Sequence, residues 1–280
     1  MKQTLKLMAG LLCAGILTQA LAQEGKTFVL AVGISQFKSL PKELWLQYPD
    51  KDAITVAKFM ASPRAGSVPA DQILLLTNEQ ATVDAVRKAF HSFLEGRAGP
   101  KDTVIISIAS HGTVDNHGAY IMTYDSDPND FAKTALPMAE VHSLVENAIK
   151  KVGHVILLAD VCRAATIAGT KTDTLGAAIQ EIGEAPGELL GLMAARPKEL
   201  SLEGPTFGGG HGAFTYSVLK AMSGAADNDK DGFVTAGELI DYVTTHVPYI
   251  TGGKQHPRDF GDMDNALKLT NLSKAGIDIP

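Results

Sequence analysis

Apolar runs alternate with helical patterns along most of the chain. The runs Phe28–Ile34, Gln72–Thr77, Thr103–Ala109, His154–Ala159, Glu188–Ala194 and Ala266–Thr270 read as strands. Several are near-continuous in Val, Ile and Leu, as suits strands covered on both faces. Between them Asp52–Ala61, Val83–Leu94, Met138–Lys150, Ala213–Met222 and Gly237–His246 carry a helical period. Thr82 offers a hydroxyl to cap the second helix, and Pro137 sits at the start of the third. Strand–helix alternation predicts a three-layer α/β domain with a mostly parallel sheet. Ala119–Asp127 lacks a helical period and reads as a small hairpin beside that sheet. Ala164–Gly187 and Pro197–Gly212 read as loops, the latter containing GPTFGGGHG. There is no internal repeat and no second apolar core, so one domain is expected.

The first residues stand outside this pattern. Lys2 and Lys6 precede an apolar stretch from Leu7 to Leu17, and Ala20-Leu21-Ala22 follows. This is the pattern of a secretory signal peptide over residues 1–22, with a mature chain from Gln23. An uncleaved anchor is the other reading, and the stretch is short for it. No later segment has a bilayer-length apolar run, so no membrane is expected after cleavage. Composition is ordinary for a globular protein, at 45% hydrophobic and 20% charged over 280 residues. The net charge of −6 falls to −8 once Lys2 and Lys6 leave, with 23 bases against 31 acids. With no basic run, nucleic acid is a poor partner.

Export changes the meaning of the cysteines. Cys13 leaves with the signal peptide, and Cys162 is then the only thiol, with no internal disulfide open to it. Such a thiol is either buried or used. Its neighbours favour use. DTVIISIAS runs into His111-Gly112, and HVILLAD runs into Val161-Cys162-Arg163. Ligands of parallel sheets bind beyond the carboxyl ends of the strands. If these two strands are neighbours, an imidazole and a thiol hang over one sheet edge, as cysteine-dependent acyl transfer requires. Gly112 admits close approach of a backbone N–H to an oxyanion, and the N–H of Cys162 completes the pair.

At this point His111-Gly112 and Asp160-Val161-Cys162-Arg163 resemble the dyad motifs of the caspase/metacaspase superfamily of cysteine peptidases. The two residues lie 51 apart, and caspases place the histidine about 50 residues before the cysteine. FVLAVGIS is similar to the family's first strand, YPDKDA to the start of its first helix, and ELLGLMAARP with HGAFTYSVLKAM to the second half of bacterial caspase-like proteins. The resemblance implies a six-stranded caspase-type sheet flanked by helices, and peptide-bond hydrolysis through an acyl-enzyme on Cys162 assisted by His111. One departure is that Ala164-Ala165 stands where the family carries a glycine after the cysteine.

The resemblance also implies specificity. Asp160 matches the acidic floor of the first pocket in Arg/Lys-specific relatives, and a carboxylate there favours a guanidinium or ammonium group. Asp50 and Asp52, at the first-helix start, are candidates for a second pocket carboxylate, although an acid there also suits a helix N-terminus. The expected partner is a peptide or protein with a basic residue before the cut. Lys171, in the long loop, is a candidate site of self-cleavage.

Asp227-Asn228-Asp229-Lys230-Asp231-Gly232 followed by Glu238 matches the calcium-loop pattern D-x-D-x-D-G-x5-E. Asp227, Asp229, Asp231, the Phe233 carbonyl and Glu238 would be the ligands, with Thr235 at the ninth position. A turn followed by a helix cap is the alternative. His117 and His211 read as loop histidines, and nothing in its spacing fixes a role for His256. Two other readings fit the same residues: a caspase-like binding module without activity, and a calcium-binding structural protein with a buried, inert Cys162. No G-x-S-x-G elbow is present, which argues against α/β-hydrolase chemistry.

Overall fold

Alternate side chains of the central strands enter two different cores, one on each side of a single sheet. In the computed structural model, which describes residues 25–163, 187–196 and 199–279, the chain runs β1 (Thr27–Gly33), α1 (Pro49–Met60), β2 (Ile73–Thr77), α2 (Val83–Lys88), β3 (Thr103–Val114), β4 (Ala119–Ile121), α3 (Phe131–Thr134), β5 (Leu136–Pro137), α4 (Met138–Ile149) and β6 (His154–Arg163). It continues through β7 (Leu189–Met193), β8 (Glu203–Gly204), β9 (His211–Gly212), α5 (Ala213–Lys220), β10 (Phe233–Thr235), α6 (Ala236–Ile250), β11 (Arg258–Phe260) and β12 (Lys268–Asn271). The signal-peptide reading, Lys171 and all but the last residue of the Ala164–Gly187 loop lie outside the described residues.

The main sheet has strand order β11-β7-β6-β3-β1-β2, all parallel except β11, which runs antiparallel to β7. On one face Phe28, Leu30, Val32, Ile106, Ile108 and Leu157 pack with Val83 and Val86 of α2 and with Val141, Leu144 and Val145 of α4. On the other, Val29, Ile105, Ile156, Leu158, Leu190 and Leu192 pack with residues of α1, α5 and α6, among them Phe59, Phe214 and Val243. This is the expected three-layer α/β fold with a mostly parallel sheet. Burial of both faces explains why the strands carry continuous apolar runs rather than an alternating pattern. No helix among the described residues is long and apolar enough to cross a membrane.

Local expectations mostly hold. The Thr82 hydroxyl accepts the Ala85 N–H at 3.2 Å, and Pro137 is the N-cap of α4. Ala119–Asp127 is not a separate hairpin beside the sheet: only Ala119–Ile121 is a strand, and it joins the main sheet antiparallel to the end of β3 and to β5. Two further differences matter. The run Ala266–Thr270 is not a strand of the main sheet, because β12 pairs with β10 instead. The sixth strand is β11, a polar Arg-Asp-Phe segment with no apolar run to announce it; its Phe260 ring packs where Gly191 of β7 has no side chain. Second, β3 and β6 run several residues beyond their predicted ends at Ala109 and Ala159. The β4 hairpin gives the far end of β3 a second ladder partner, so polar residues that end the apolar run stay in the sheet.

Candidate active site

This extension of β3 and β6 brings the two reactive positions together. The parallel ladder pairs His111 directly with Cys162, Ala109 with Asp160 and Gly112 with Arg163. Gly112 also pairs with Ile121 of β4. Both dyad positions are therefore set by sheet register, not by loop conformation.

The imidazole of His111 is buried and stacked on Phe37, with ring centroids 5.1 Å apart at 25°. Its Nε2 lies 2.8 Å from the carbonyl of Leu44. A carbonyl only accepts, so Nε2 carries the proton and Nδ1 presents a lone pair. That Nδ1 is buried and has no hydrogen-bond partner among the described residues. Buried unpaired polar atoms are rare, and each calls for an explanation. Burial pulls the His111 pKa below its ordinary value, while the Leu44 carbonyl opposes the shift. The Leu44 loop is itself tied down: the Trp45 indole N–H is shared between the carbonyls of Phe37 and Leu40, each at 3.2 Å, and the Leu46 N–H donates to Ser35 O at 3.0 Å.

Next to the dyad positions, on the α1 face of the sheet, lies an acidic pocket. Asp52, Asp160 and Glu203 line it together with Leu46, Ala109 and Gly212. Asp160 accepts the Ser201 hydroxyl on Oδ1 at 2.6 Å and the Thr215 hydroxyl on Oδ2 at 3.2 Å. Asp52 accepts the Gly212 N–H on Oδ2 at 3.1 Å, and its Oδ1 is 2.6 Å from Nδ1 of His211. Glu203 accepts the N–H groups of Gln47 and Tyr48 at the start of α1. Desolvation by burial raises Asp160 to about 6, its two hydroxyl donors opposing the shift. Burial, with the nearby charge of Asp160, raises Asp52 well above the usual carboxylate range. Burial lowers His211 to about 4. Burial thus opposes the charged form of both partners in the 2.6 Å Asp52–His211 contact.

Of the sequence candidates for this pocket, Asp160 and Asp52 are brought together and Asp50 is not. Asp50 accepts the Ser35 hydroxyl at 2.8 Å, the Asn78 amide at 3.0 Å and the Lys51 N–H at 2.8 Å, and fastens the end of β1 to α1. At the first position after a Pro-initiated helix start its carboxylate turns back to the loop, whereas Asp52 faces the sheet. Sequence reasoning missed Glu203, Ser201 and Thr215, and left His211 as a loop residue. The β8–β9 ladder, which pairs Glu203 with Gly212 and Gly204 with His211, carries two of these to the pocket. Gly212 sits between the carboxylates: a Cβ there would stand 2.8 Å from Asp160 Oδ2 and 3.1 Å from Asp52 Oδ2. Its φ of −66° suits alanine, so the restriction is space alone. Gly212→Ala is expected to destabilise the protein by about 1–3 kcal/mol, as overpacking does, read from urea unfolding; an unchanged midpoint would mean that the pocket yields.

The acidic loop lies apart from this pocket, between α5 and α6. Asp227, Asp229 and Asp231 bring carboxylate oxygens within 4.8 Å of one another. Gly232 has φ +85°, a conformation that needs glycine, at the sixth position of the motif. Oδ1 of Asp227 is buried without a hydrogen-bond partner among the described residues. Glu238 does not join the triad. It forms a capping box with Thr235, and its Oε1 accepts the Asn228 N–H at 3.0 Å. Phe233 lies in β10, opposite Asn271. Three carboxylates at this spacing are a candidate metal site, while Glu238, expected as the fourth side-chain ligand, serves the helix cap instead.

The solved structure of the protein GSU0716 from Geobacter sulfurreducens is similar in fold, with a TM-score of 0.57 at 18% identity over 90% of this chain and 100% of that one. No protein-family model matches the sequence, and no curated protein matches it.

Proposed function

We propose that this chain is a caspase-like cysteine endopeptidase that cleaves after Arg or Lys. The observation that carries the reading is the pairing of His111 with Cys162 in the ladder, together with a His111 whose Nε2 is committed to Leu44 while Nδ1 has no partner among the described residues. In this reading Nδ1 takes the thiol proton of Cys162. The thiolate forms a bond to the scissile carbonyl carbon and the C–N bond breaks as His111 returns the proton to the leaving amine; the N–H groups of Gly112 and Cys162, expected to hold the oxyanion, lie in the β3–β6 ladder. Water then hydrolyses the thioester, with His111 again as base.

The pocket supports the basic preference. Asp160 stands at the strand position two residues before Cys162, opposite Ala109, and both its oxygens accept hydroxyl hydrogen bonds. Glu203 adds a third acidic side chain to the pocket. We propose further that the chain is exported, that its partner is a peptide or protein and not a nucleic acid, and that Asp227, Asp229 and Asp231 hold calcium, which stiffens the α5–α6 connection.

The test is hydrolysis of paired fluorogenic peptides ending in Arg or Asp, with and without calcium, by wild type and Cys162→Ala. Arg cleavage lost in the mutant is the expected result, with calcium raising the thermal midpoint and leaving the Arg preference as it was. Cleavage after Asp would overturn the pocket argument, and a folded protein that cleaves neither would overturn the peptidase.

A further inference from the structure

The chain that follows α6 returns to the acidic pocket through one buried amide. Gln255 is fully buried, 95 residues from Asp160 in sequence, and each end of its side chain is engaged. Oε1 accepts the Leu202 N–H at 2.8 Å, while Nε2 donates to the Ala194 carbonyl at 2.9 Å and to Ser201 Oγ at 3.1 Å. The amide has one orientation: reversing it would set its NH2 against the Leu202 N–H and its oxygen against the Ala194 carbonyl. Ser201 Oγ therefore receives a hydrogen from Gln255, and its own single proton is directed to Asp160 Oδ1 at 2.6 Å. Thr215 donates to the other oxygen. Hydroxyl donors on both oxygens favour the ionised form of a buried carboxylate, against the desolvation that opposes it.

We infer that Ser201 is a specificity-determining residue and Gln255 a positioning residue that acts through it, the two together presenting Asp160 to the substrate's cationic side chain as an oriented carboxylate. The neighbouring acid is held by other groups: Asp52 Oδ1 lies 2.6 Å from His211 Nδ1 and its Oδ2 accepts the Gly212 N–H, so neither oxygen takes a hydroxyl donor. The ligand class is a guanidinium or ammonium group. The inference rests on the proposed peptidase reading and names the residues that set its selectivity.

The experiment compares kcat/KM on two peptides that differ only in Arg or its neutral isostere citrulline before the scissile bond, using wild type, Ser201→Ala, Ser201→Thr, Gln255→Met and the Ala/Met double variant. Losing one hydrogen bond to a charged group should cut the Arg-to-citrulline ratio about tenfold in Ser201→Ala and in Gln255→Met. Ser201→Thr, which keeps the hydroxyl, should restore it. The double variant should lose no more than Ser201→Ala alone, since both substitutions break one relay. Iodoacetamide alkylation of Cys162, which does not use the pocket, reports any general damage. If Gln255→Met does not fold, Gln255→Glu keeps the acceptor for Leu202 and removes the donors. An unchanged ratio in Ser201→Ala, with wild type cleaving after Arg, would overturn this inference and leave the peptidase standing. Additive losses would overturn the action of Gln255 through Ser201. A wild type that cleaves after neither Arg nor Lys would overturn both.

Discussion

His111→Ala should lower kcat/KM on an arginyl peptide by about a thousandfold or more, in the range expected for loss of a general base that also serves as acid. The imidazole is pinned by three contacts that do not involve substrate: the Phe37 ring, the Leu44 carbonyl and its place in the β3 ladder. Its orientation is therefore set before anything binds, and its removal takes away the proton acceptor without moving the thiol's backbone. The pH profile makes the test specific. Burial keeps His111 neutral below its ordinary pKa, so the acid limb of kcat should lie below pH about 6.5 and should vanish in the variant. Truncating a buried side chain also costs stability, about 2 kcal/mol for a ring of this size that loses its stacking and a hydrogen bond. The thermal midpoint should be measured beside the rate, so that unfolding is not read as lost chemistry. Activity within tenfold of wild type in a folded His111→Ala would sink the dyad.

What sequence could and could not reveal divides along a physical line. His111 and Cys162 were legible because each follows an apolar run, and the end of a buried parallel strand is where a sheet presents its chemistry. Register did the rest, and register follows from continuous apolar strands meeting side by side. Asp160 and Asp52 were reachable by resemblance and by position at a helix start. Glu203, His211, Ser201 and Gln255 were not, because they sit in segments with no hydrophobic period, where contacts are made by hydrogen bonds that leave no pattern in sequence. Gly212 illustrates the difficulty. Among the loop's many glycines nothing marks it, yet it is the one whose missing Cβ lets two carboxylates approach the same point. The misassigned sixth strand has a similar origin. An edge strand of three residues, two of them exposed, needs no apolar run, while the run that looked like a strand was taken by the acidic loop's own small ladder.

Asp160→Asn should separate the pocket's function from its cost. For function, the variant keeps the shape and loses the charge. Removing one member of a buried charge pair typically costs 2–5 kcal/mol, so kcat/KM on arginyl peptides should fall by roughly a hundredfold or more, while the citrulline peptide is affected little. For stability, the sign is reversed. Burial raises Asp160 from 3.8 to about 6 in the folded chain, so between those values the native state holds a proton that the unfolded state has released. Stability from this group is fully present below about pH 4, is lost as pH rises to about 6, and stays lost above it, a difference of roughly 3 kcal/mol. Relative to wild type, Asp160→Asn should therefore gain stability as pH is raised from 4 to 7. The gain is reduced by whatever the amide forfeits with Ser201 and Thr215, and part of the wild-type slope survives because Asp52 is raised in the same direction. Urea unfolding at several pH values reads the slope directly. The same titration governs the substrate: with the pocket empty, binding of an arginyl peptide should weaken about tenfold per unit below pH 6, and Asp160→Asn should abolish that dependence. A variant that loses Arg cleavage while its stability follows the wild-type pH curve would mean that Asp160 is not the buried, reluctant anion that its surroundings imply.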